Sequence, residues 1–515
     1  QAGQTAINFG IHTCKPPSVP MADAEPPEIS VVQEHVATYH GSAVEVAFLP
    51  DKGRVLLAAE SFEPGERILL EYPLVEAAVD QGAAAYKTLQ KLKEEGRLEF
   101  APLFYWAALC TLTAPEVSAA SCPPWPAVPE TTQGHALLLH APPEACAEPS
   151  ASTRAIVDAL WPAGCSIDPL RLERLLQVWI YNSFDQGDGP CEAGVIYLAS
   201  SMLSHSCAPN AAWHQDEANS FILHARGSIA EGEEITIPYL GPNELCMPTE
   251  DRRDILATTK AFHCSCERCS EPLDTARIFT CPRCGEGHAL AVVAALPADA
   301  DGALVCSPCG PLSATEVAPL LQVEARLRSW ARAQQDSHSS SSAVTVGGVA
   351  CDDTIARLRE AEAAGLTGGH WILDAARAAA AAATTTSDPN FAIELLRKRL
   401  AAHELAGAHT VTQCARLRMA LSSALCNRGG VNDLREAVDT CSAAADSLAL
   451  LFGDDHPEHQ QAATLQGQAA RKLATVRKTS NLDSARIATV LSGCDPVLPK
   501  GASGKRNART SRRAR

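Results

Sequence analysis

The sequence predicts an α+β chain that opens β-rich, takes up a helical insertion, passes through a cysteine-rich segment and ends all-helical. Three observations predict it. Apolar runs of strand length, broken by a Pro-Gly turn, occupy residues 44–75 and return at 220–239. Two Cys-x-x-Cys pairs stand close together at 281–309. From Thr315 onward strand-like runs vanish, and long helical stretches follow one another through short polar connections.

Taken in order, residues 1–20 precede the first methionine, Met21, and are set aside as an extension. Residues 1–43 as a whole are expected to be disordered. Residues 44–49 (Val-Glu-Val-Ala-Phe-Leu), 54–60 and 67–75 read as strands, the last two separated by Ser61-Phe62-Glu63-Pro64-Gly65-Glu66. Residues 84–111 carry apolar side chains at i, i+3 spacing and read as helix. The proline- and alanine-rich stretch 122–150 reads as a loop, with helix returning at 156–161 and 169–181. Residues 221–225 and 235–237 read as strands turning at Glu231-Gly232-Glu233. Past the cysteine pairs, the serine run 337–342 reads as a flexible loop. The alanine run 375–383 reads as helical by propensity but short of packing surface. Helices follow at about 391–405, 411–427, 432–452 and 457–476, and their short connections predict antiparallel hairpins. Beyond 480 the chain is polar and basic, and a disordered tail is expected over 481–515.

Composition narrows the function. At about 150 residues per domain, 515 residues make room for about three domains. Hydrophobic residues at 46% and charged residues at 20% are globular values. The formal charge is −17, although the last eleven residues hold Lys505, Arg506, Arg509, Arg512, Arg513 and Arg515 and no acid. The remaining body is therefore more acidic still. That argues against a broad nucleic-acid-binding face and suits a basic partner such as a lysine-rich protein segment. No apolar run reaches the roughly 18 residues of a membrane span, and no basic-then-apolar leader pattern opens the chain. Cytosol or nucleus is the expected compartment, where 20 cysteines stay reduced.

Most of those cysteines are scattered singly and read as small buried hydrophobes. Cys281, Cys284, Cys306 and Cys309 do not: two matched Cys-x-x-Cys knuckles, each followed by glycine, supply four thiolates for a tetrahedral zinc. Cys264, Cys266 and Cys269 supply only three. Cys207, Cys246 and His263 are the candidates for a fourth, and spacing alone does not choose among them.

Three further segments carry a family resemblance. Lys52-Gly53-Arg54-Val55-Leu56 with Glu63-Pro64-Gly65-Glu66 resembles the opening strands of a SET methyltransferase domain. Leu203-Ser204-His205-Ser206-Cys207-Ala208-Pro209-Asn210 is similar to its Asn-His-Ser-Cys-x-Pro-Asn signature, and Gly232-Glu233-Glu234 through Tyr239 to its Gly-Glu-Glu strand ending in tyrosine. Asn182-Ser183-Phe184 and the segment 247–269 resemble the SET-and-MYND group of protein-lysine methyltransferases, whose post-SET cysteines lie at the corresponding place. The resemblance spans about 44–475, with firm motifs at 52–66 and 182–269. It implies a SET domain over 44–240 with a helical insertion at about 84–181. A zinc-binding post-SET and ribbon-like segment would follow over 241–314, then an all-α tetratricopeptide-like domain over 315–480.

The implied reaction is methyl transfer from S-adenosylmethionine to a protein lysine, histone or non-histone. By the same resemblance Tyr239 is the catalytic tyrosine, and Phe184 and Tyr197 wall the lysine channel. Lys52, Gly53 and Arg54 offer backbone to the methyl donor, Asn182, Ser204 and His205 meet its polar groups, and Phe262 stacks on its adenine. Cys207 completes the zinc set of Cys264, Cys266 and Cys269, giving two zinc ions per chain. Three departures stand out. Val55 replaces the second glycine of the family's Gly-x-Gly loop and is expected to crowd or strain it. Ser204 replaces an asparagine. No MYND-type cysteine set lies between 75 and 160, where only Cys110, Cys122 and Cys146 occur. The rival reading is a degenerate SET-fold scaffold that binds protein partners through its helical end.

Overall fold

The computed structural model describes residues 27–50, 52–121, 125–161, 167–185, 193–285, 288–292, 303–339 and 351–492. The chain divides into two compact units, residues 1–239 and 240–515.

The first unit opens with a helix, Pro27–Tyr39, where disorder was expected. Ile29, Val32 and Val36 repeat at helical spacing on one face and are buried, and apolar burial of that stripe offsets the cost of ordering the segment. Residues 1–26 lie outside the described residues. Val44–Leu49 then pairs antiparallel with Gly53–Ala58 in a hairpin. The expected strand 67–75 is two strands, Arg67–Glu71 and Val75–Ala78, because Pro73 between them cannot donate to a ladder. Arg67–Glu71 pairs with Phe221–Ala225, which pairs with Ala211–Gln215. Val75–Ala78 pairs with Ala193–Ile196, which pairs with Phe184–Asp185.

The insertion is helical, as its periodicity predicts, but segmented. Ala84–Glu94 stops at Gly96, whose φ of +71° belongs to a left-handed turn. Pro102–Cys110, Ala151–Leu160 and Pro169–Asn182 follow. The stretch read as a loop contains a short helix, Glu130–Ala136. Trp106, Trp179, Leu109 and Leu175 tie these helices into one core with the sheets. Trp179 Nε1 donates to Thr111 Oγ1 at 2.8 Å, so even the buried indole has a partner.

The second unit carries a four-stranded antiparallel sheet, Leu273–Thr280, His288–Val292, Leu304–Cys306 and Gly310–Pro311 in sequence order. Helices follow: Ala314–Ser339, Cys351–Ala363, Trp371–Thr384, Pro389–Ala406, Val411–Arg428, Val431–Phe452 and Pro457–Ser492. Three expectations are corrected here. Ser337–Ser339 belongs to a helix end, and the rest of the serine run lies outside the described residues. The alanine helix is well packed: Ala375, Ala376, Ala379, Ala380 and Ala381 are buried, because side chains this small let neighbouring backbones approach closely. The last helix runs to Ser492, past the expected tail boundary at 480, and residues 493–515 are outside the described residues. No described helix is long and apolar enough to cross a membrane.

Candidate active site and metal centres

The signature loop and the tyrosine strand meet in the first unit. Ser204–His205 pairs in parallel with Thr236–Ile237. Asn210 fastens the two segments: its Nδ2 donates to the Glu234 carbonyl at 2.9 Å and to Glu233 Oε1 at 3.0 Å. Its Oδ1 accepts from Thr236 N at 2.8 Å. Every polar atom of that amide is therefore used, which is what a partly buried asparagine requires.

This interlock positions Tyr239. Its backbone N–H donates to His205 Nδ1 at 2.9 Å, and its hydroxyl donates to the Leu203 carbonyl at 2.5 Å. Burial of the hydroxyl, with the Glu234 carboxylate adding to it, pushes the phenol well above its ordinary range. The residue as a whole is 38% exposed, so an enclosed, protonated hydroxyl sits at the end of an accessible ring.

His205 is committed on both nitrogens. With Nδ1 accepting from Tyr239, the network assigns the proton to Nε2, which lies 3.2 Å from Cys207 Sγ. Both ring nitrogens thus meet protein groups. The Ser204 hydroxyl donates to the Glu234 carboxylate, which also takes Lys52 Nζ at 2.5 Å. Glu234 thus joins the opening hairpin to the signature loop. It sits inside the quoted Gly-Glu-Glu motif, but nothing in the spacing marks it as a hub. Asn182 braces its own helix: its Nδ2 donates to His140 O and Val178 O, each at 2.7 Å.

The main chain is a better fit to a methyl donor than these side chains. Gly53 has a φ of +77°, and beyond its chain neighbours no heavy atom lies within 4 Å of where a Cβ would stand. That leaves its backbone open to close approach. Val55 causes no backbone strain, because it is paired with Ala47 in a regular strand and buried. Arg54 donates through Nη2 to the Leu138 carbonyl.

Phe184 and Tyr197 do come together, with ring centroids 5.3 Å apart. Two aromatics missed by sequence reasoning join them: Trp213 and Phe221, each 5.2 Å from Phe184 and stacked on one another. Phe221 opens a run that reads as a strand, which was a usable signal for it. Tyr197 is fully buried, and its hydroxyl donates to the Asn219 carbonyl at 2.5 Å. Phe184 and Trp213 are half-buried and form the accessible side of the cluster.

In the second unit the ribbon cysteines converge, with the four sulfurs of Cys281, Cys284, Cys306 and Cys309 all within 4.8 Å of one another. Cys284 Sγ and Cys306 Sγ are 3.9 Å apart. Tetrahedral zinc with bonds of about 2.3 Å requires about 3.8 Å, so the donor set fits that ion. Gly285 and Gly310, one after each knuckle, take φ of +72° and +73°, as the turn demands. Cys264, Cys266 and Cys269 also lie within 4.8 Å of one another. Arg253 clamps this loop through the carbonyls of Cys264 and Cys269, each at 3.0 Å. The buried Arg252 donates to Cys269 Sγ at 3.4 Å, a contact suited to a thiolate. Cys246 instead faces His403 Nδ1 at 3.8 Å, and His263 is exposed. Phe262 is half-buried in the same unit.

The SET domain family matches residues 53–240. Protein-lysine N-trimethyltransferase SMYD5 of Danio rerio is 37% identical over 102 residues, 19% of this chain and 24% of that protein. SET domain-containing protein SmydA-8, isoform B, of Drosophila melanogaster is 32% identical over 91 residues, 18% and 20% of the two chains. The chain thus spans a quarter or less of these relatives' length. A solved structure of Rubisco LSMT bound to AdoMet covers 87% of this chain and 93% of its own at 11% identity, with a TM-score of 0.26, too low to carry an argument. Residues 53–240 match the SET domain family, and the chain that carries them resembles the SET-domain protein-lysine methyltransferases of the SMYD group.

Proposed function

We propose that the protein is an S-adenosylmethionine-dependent protein-lysine N-methyltransferase that acts on basic, lysine-containing segments of histone or non-histone proteins in the cytoplasm, the nucleus or both. The observation that carries this reading is the enclosed Tyr239 hydroxyl, held by Leu203 beside the signature loop. When bound, the donor supplies an electrophilic methyl group on a sulfonium. The backbone of Lys52, Gly53 and Arg54 would hold it, with Phe262 against its adenine. Tyr239 stays protonated at neutral pH and acts by orienting its dipole, not as a base. The target amine must be neutral to react. Phe184 with Trp213, backed by Tyr197, desolvates it and so lowers its pKa. Alignment of the amine then supplies much of the rate.

Two zinc ions complete the assignment: one at Cys281, Cys284, Cys306 and Cys309, and one at Cys264, Cys266 and Cys269 with Cys207 as fourth ligand. The donation from His205 Nε2 toward Cys207 supports a thiolate there. The C-terminal helices are assigned a tetratricopeptide-like role in binding protein segments. A scaffold that has lost its donor is the second reading, favoured by Ser204 Oγ, His205 Nδ1 and Asn182 Nδ2 each engaging other protein groups. Calorimetric titration with S-adenosylmethionine separates the two: saturable binding supports the enzyme, and none supports the scaffold.

A further inference from the structure

Glu71 ends the Arg67–Glu71 strand and is 3% exposed. Its Oε1 accepts from Leu198 N at 2.9 Å and Ala199 N at 2.8 Å. Its Oε2 accepts from Ser200 N at 2.7 Å and Ser200 Oγ at 2.6 Å. Four donors and no acceptor fit the ionised form, although burial pushes against it. Yet no lysine or arginine pairs with Glu71 among the described residues, and a buried anion without a cation is costly.

What faces it are imidazoles. His35, near the end of the Pro27–Tyr39 helix, and His40, just past it, each place a ring nitrogen within 4.8 Å of the other's and of a Glu71 oxygen. The Leu70 carbonyl engages the His40 ring, while His40 Nε2 is buried with no hydrogen-bond partner. A ring held by a backbone carbonyl on one side, with a bare nitrogen on the other, is the arrangement found in metal-ligating histidines. Burial lowers the pKa of both rings, so neither serves as the missing cation at neutral pH, and both keep a lone pair. A third imidazole, His135, stands edge-on to His35 with centroids 5.7 Å apart.

We propose that His35 and His40 bind a divalent transition-metal ion, zinc in the resting protein, beside the Glu71 carboxylate that balances its charge. Imidazole nitrogens with a hard oxygen nearby suit zinc, cobalt or nickel. This third metal site is distinct from the two cysteine sets. It fastens the N-terminal helix to the strand end and to the Leu198–Ser200 turn. Three residues beyond that turn is Leu203, whose carbonyl receives the Tyr239 hydroxyl. The metal therefore stiffens the segment that leads into the signature loop.

The test uses the full chain with its cysteine sites loaded with zinc, titrated calorimetrically with cobalt(II). Wild type is expected to bind one further equivalent, without the intense near-ultraviolet thiolate bands that cobalt shows in cysteine sites. Zinc in slight excess should raise its melting temperature. His35→Gln, at a half-exposed position that tolerates the change, and His40→Ala should each weaken this binding at least about tenfold and abolish the thermal shift. Absence of the extra equivalent in wild type, or binding that persists undiminished in a folded His35→Gln, overturns the proposal.

Discussion

Cys306→Ser tests the ribbon site quantitatively. Cys306 ends the Leu304–Cys306 strand, pairs with Ala289 and is fully buried beside Phe279, Leu304 and Leu312. Structural zinc in small domains contributes about 10–16 kcal/mol of apparent binding free energy. Shared over four ligands, one thiolate is worth about 3 kcal/mol, or roughly a hundredfold in zinc affinity. The serine hydroxyl also enters a buried position and adds about 1–3 kcal/mol of destabilisation. The assay is competition for zinc against a chromophoric chelator, read together with amide exchange across the strands from Leu273 to Pro311. The variant should surrender one zinc at chelator concentrations that leave wild type loaded, and those strands should lose protection. Unchanged affinity, or strands that stay protected without metal, would refute the reasoning.

Three further outcomes are expected. Ser204→Ala removes a donor to Glu234 while Lys52 stays in place, so urea unfolding should show a loss of about 1 kcal/mol with donor affinity unmoved; a tenfold loss of affinity would place the hydroxyl on the donor instead. Burial alone would lower the pKa of His403, but Asp374, itself bridged by Arg399, raises it to about 10. Stability from that pair is full below about pH 6.5 and is lost as pH rises through about 10, so Asp374→Asn should flatten the alkaline arm of a melting-temperature profile. At the acid end, burial would raise Glu324, but the two hydrogen bonds from Arg277 hold it at about 2, and its contribution, present above about pH 4.5, should fade as pH falls toward 2. Arg277→Gln, which removes both hydrogen bonds, should erase that acid arm from a melting-temperature profile.

The parts legible in the sequence were those whose physics is local. Residues 44–49 announced a strand as a short, largely apolar run, the knuckle glycines announced turns, and Ser204 to Asn210 with Gly232 to Tyr239 announced two family motifs. What stayed hidden depends on partners far along the chain. Glu71 reads as an ordinary charge at a strand end, and only the fold brings it to amides 127 to 129 residues away. Ser204, His205 and Asn182 have polar groups suited to a ligand, but packing brought protein partners within reach first. The Pro27–Tyr39 helix did leave a signal in Ile29, Val32 and Val36, which the flanking prolines and the unusual start obscured. The alanine run hid its packing because small residues carry little hydrophobic pattern.

The most direct measurement is transfer of labelled methyl from S-adenosylmethionine to mixed basic proteins by wild type and Tyr239→Phe side by side. Losing a hydroxyl that makes one hydrogen bond costs about 1 kcal/mol in stability, so both should be folded. The account predicts saturable transfer to lysine in wild type, rising with pH as the target amine deprotonates, and reduced at least about tenfold, or 1.4 kcal/mol, in Tyr239→Phe. No transfer by folded, zinc-loaded wild type, or equal transfer by both proteins, would contradict it.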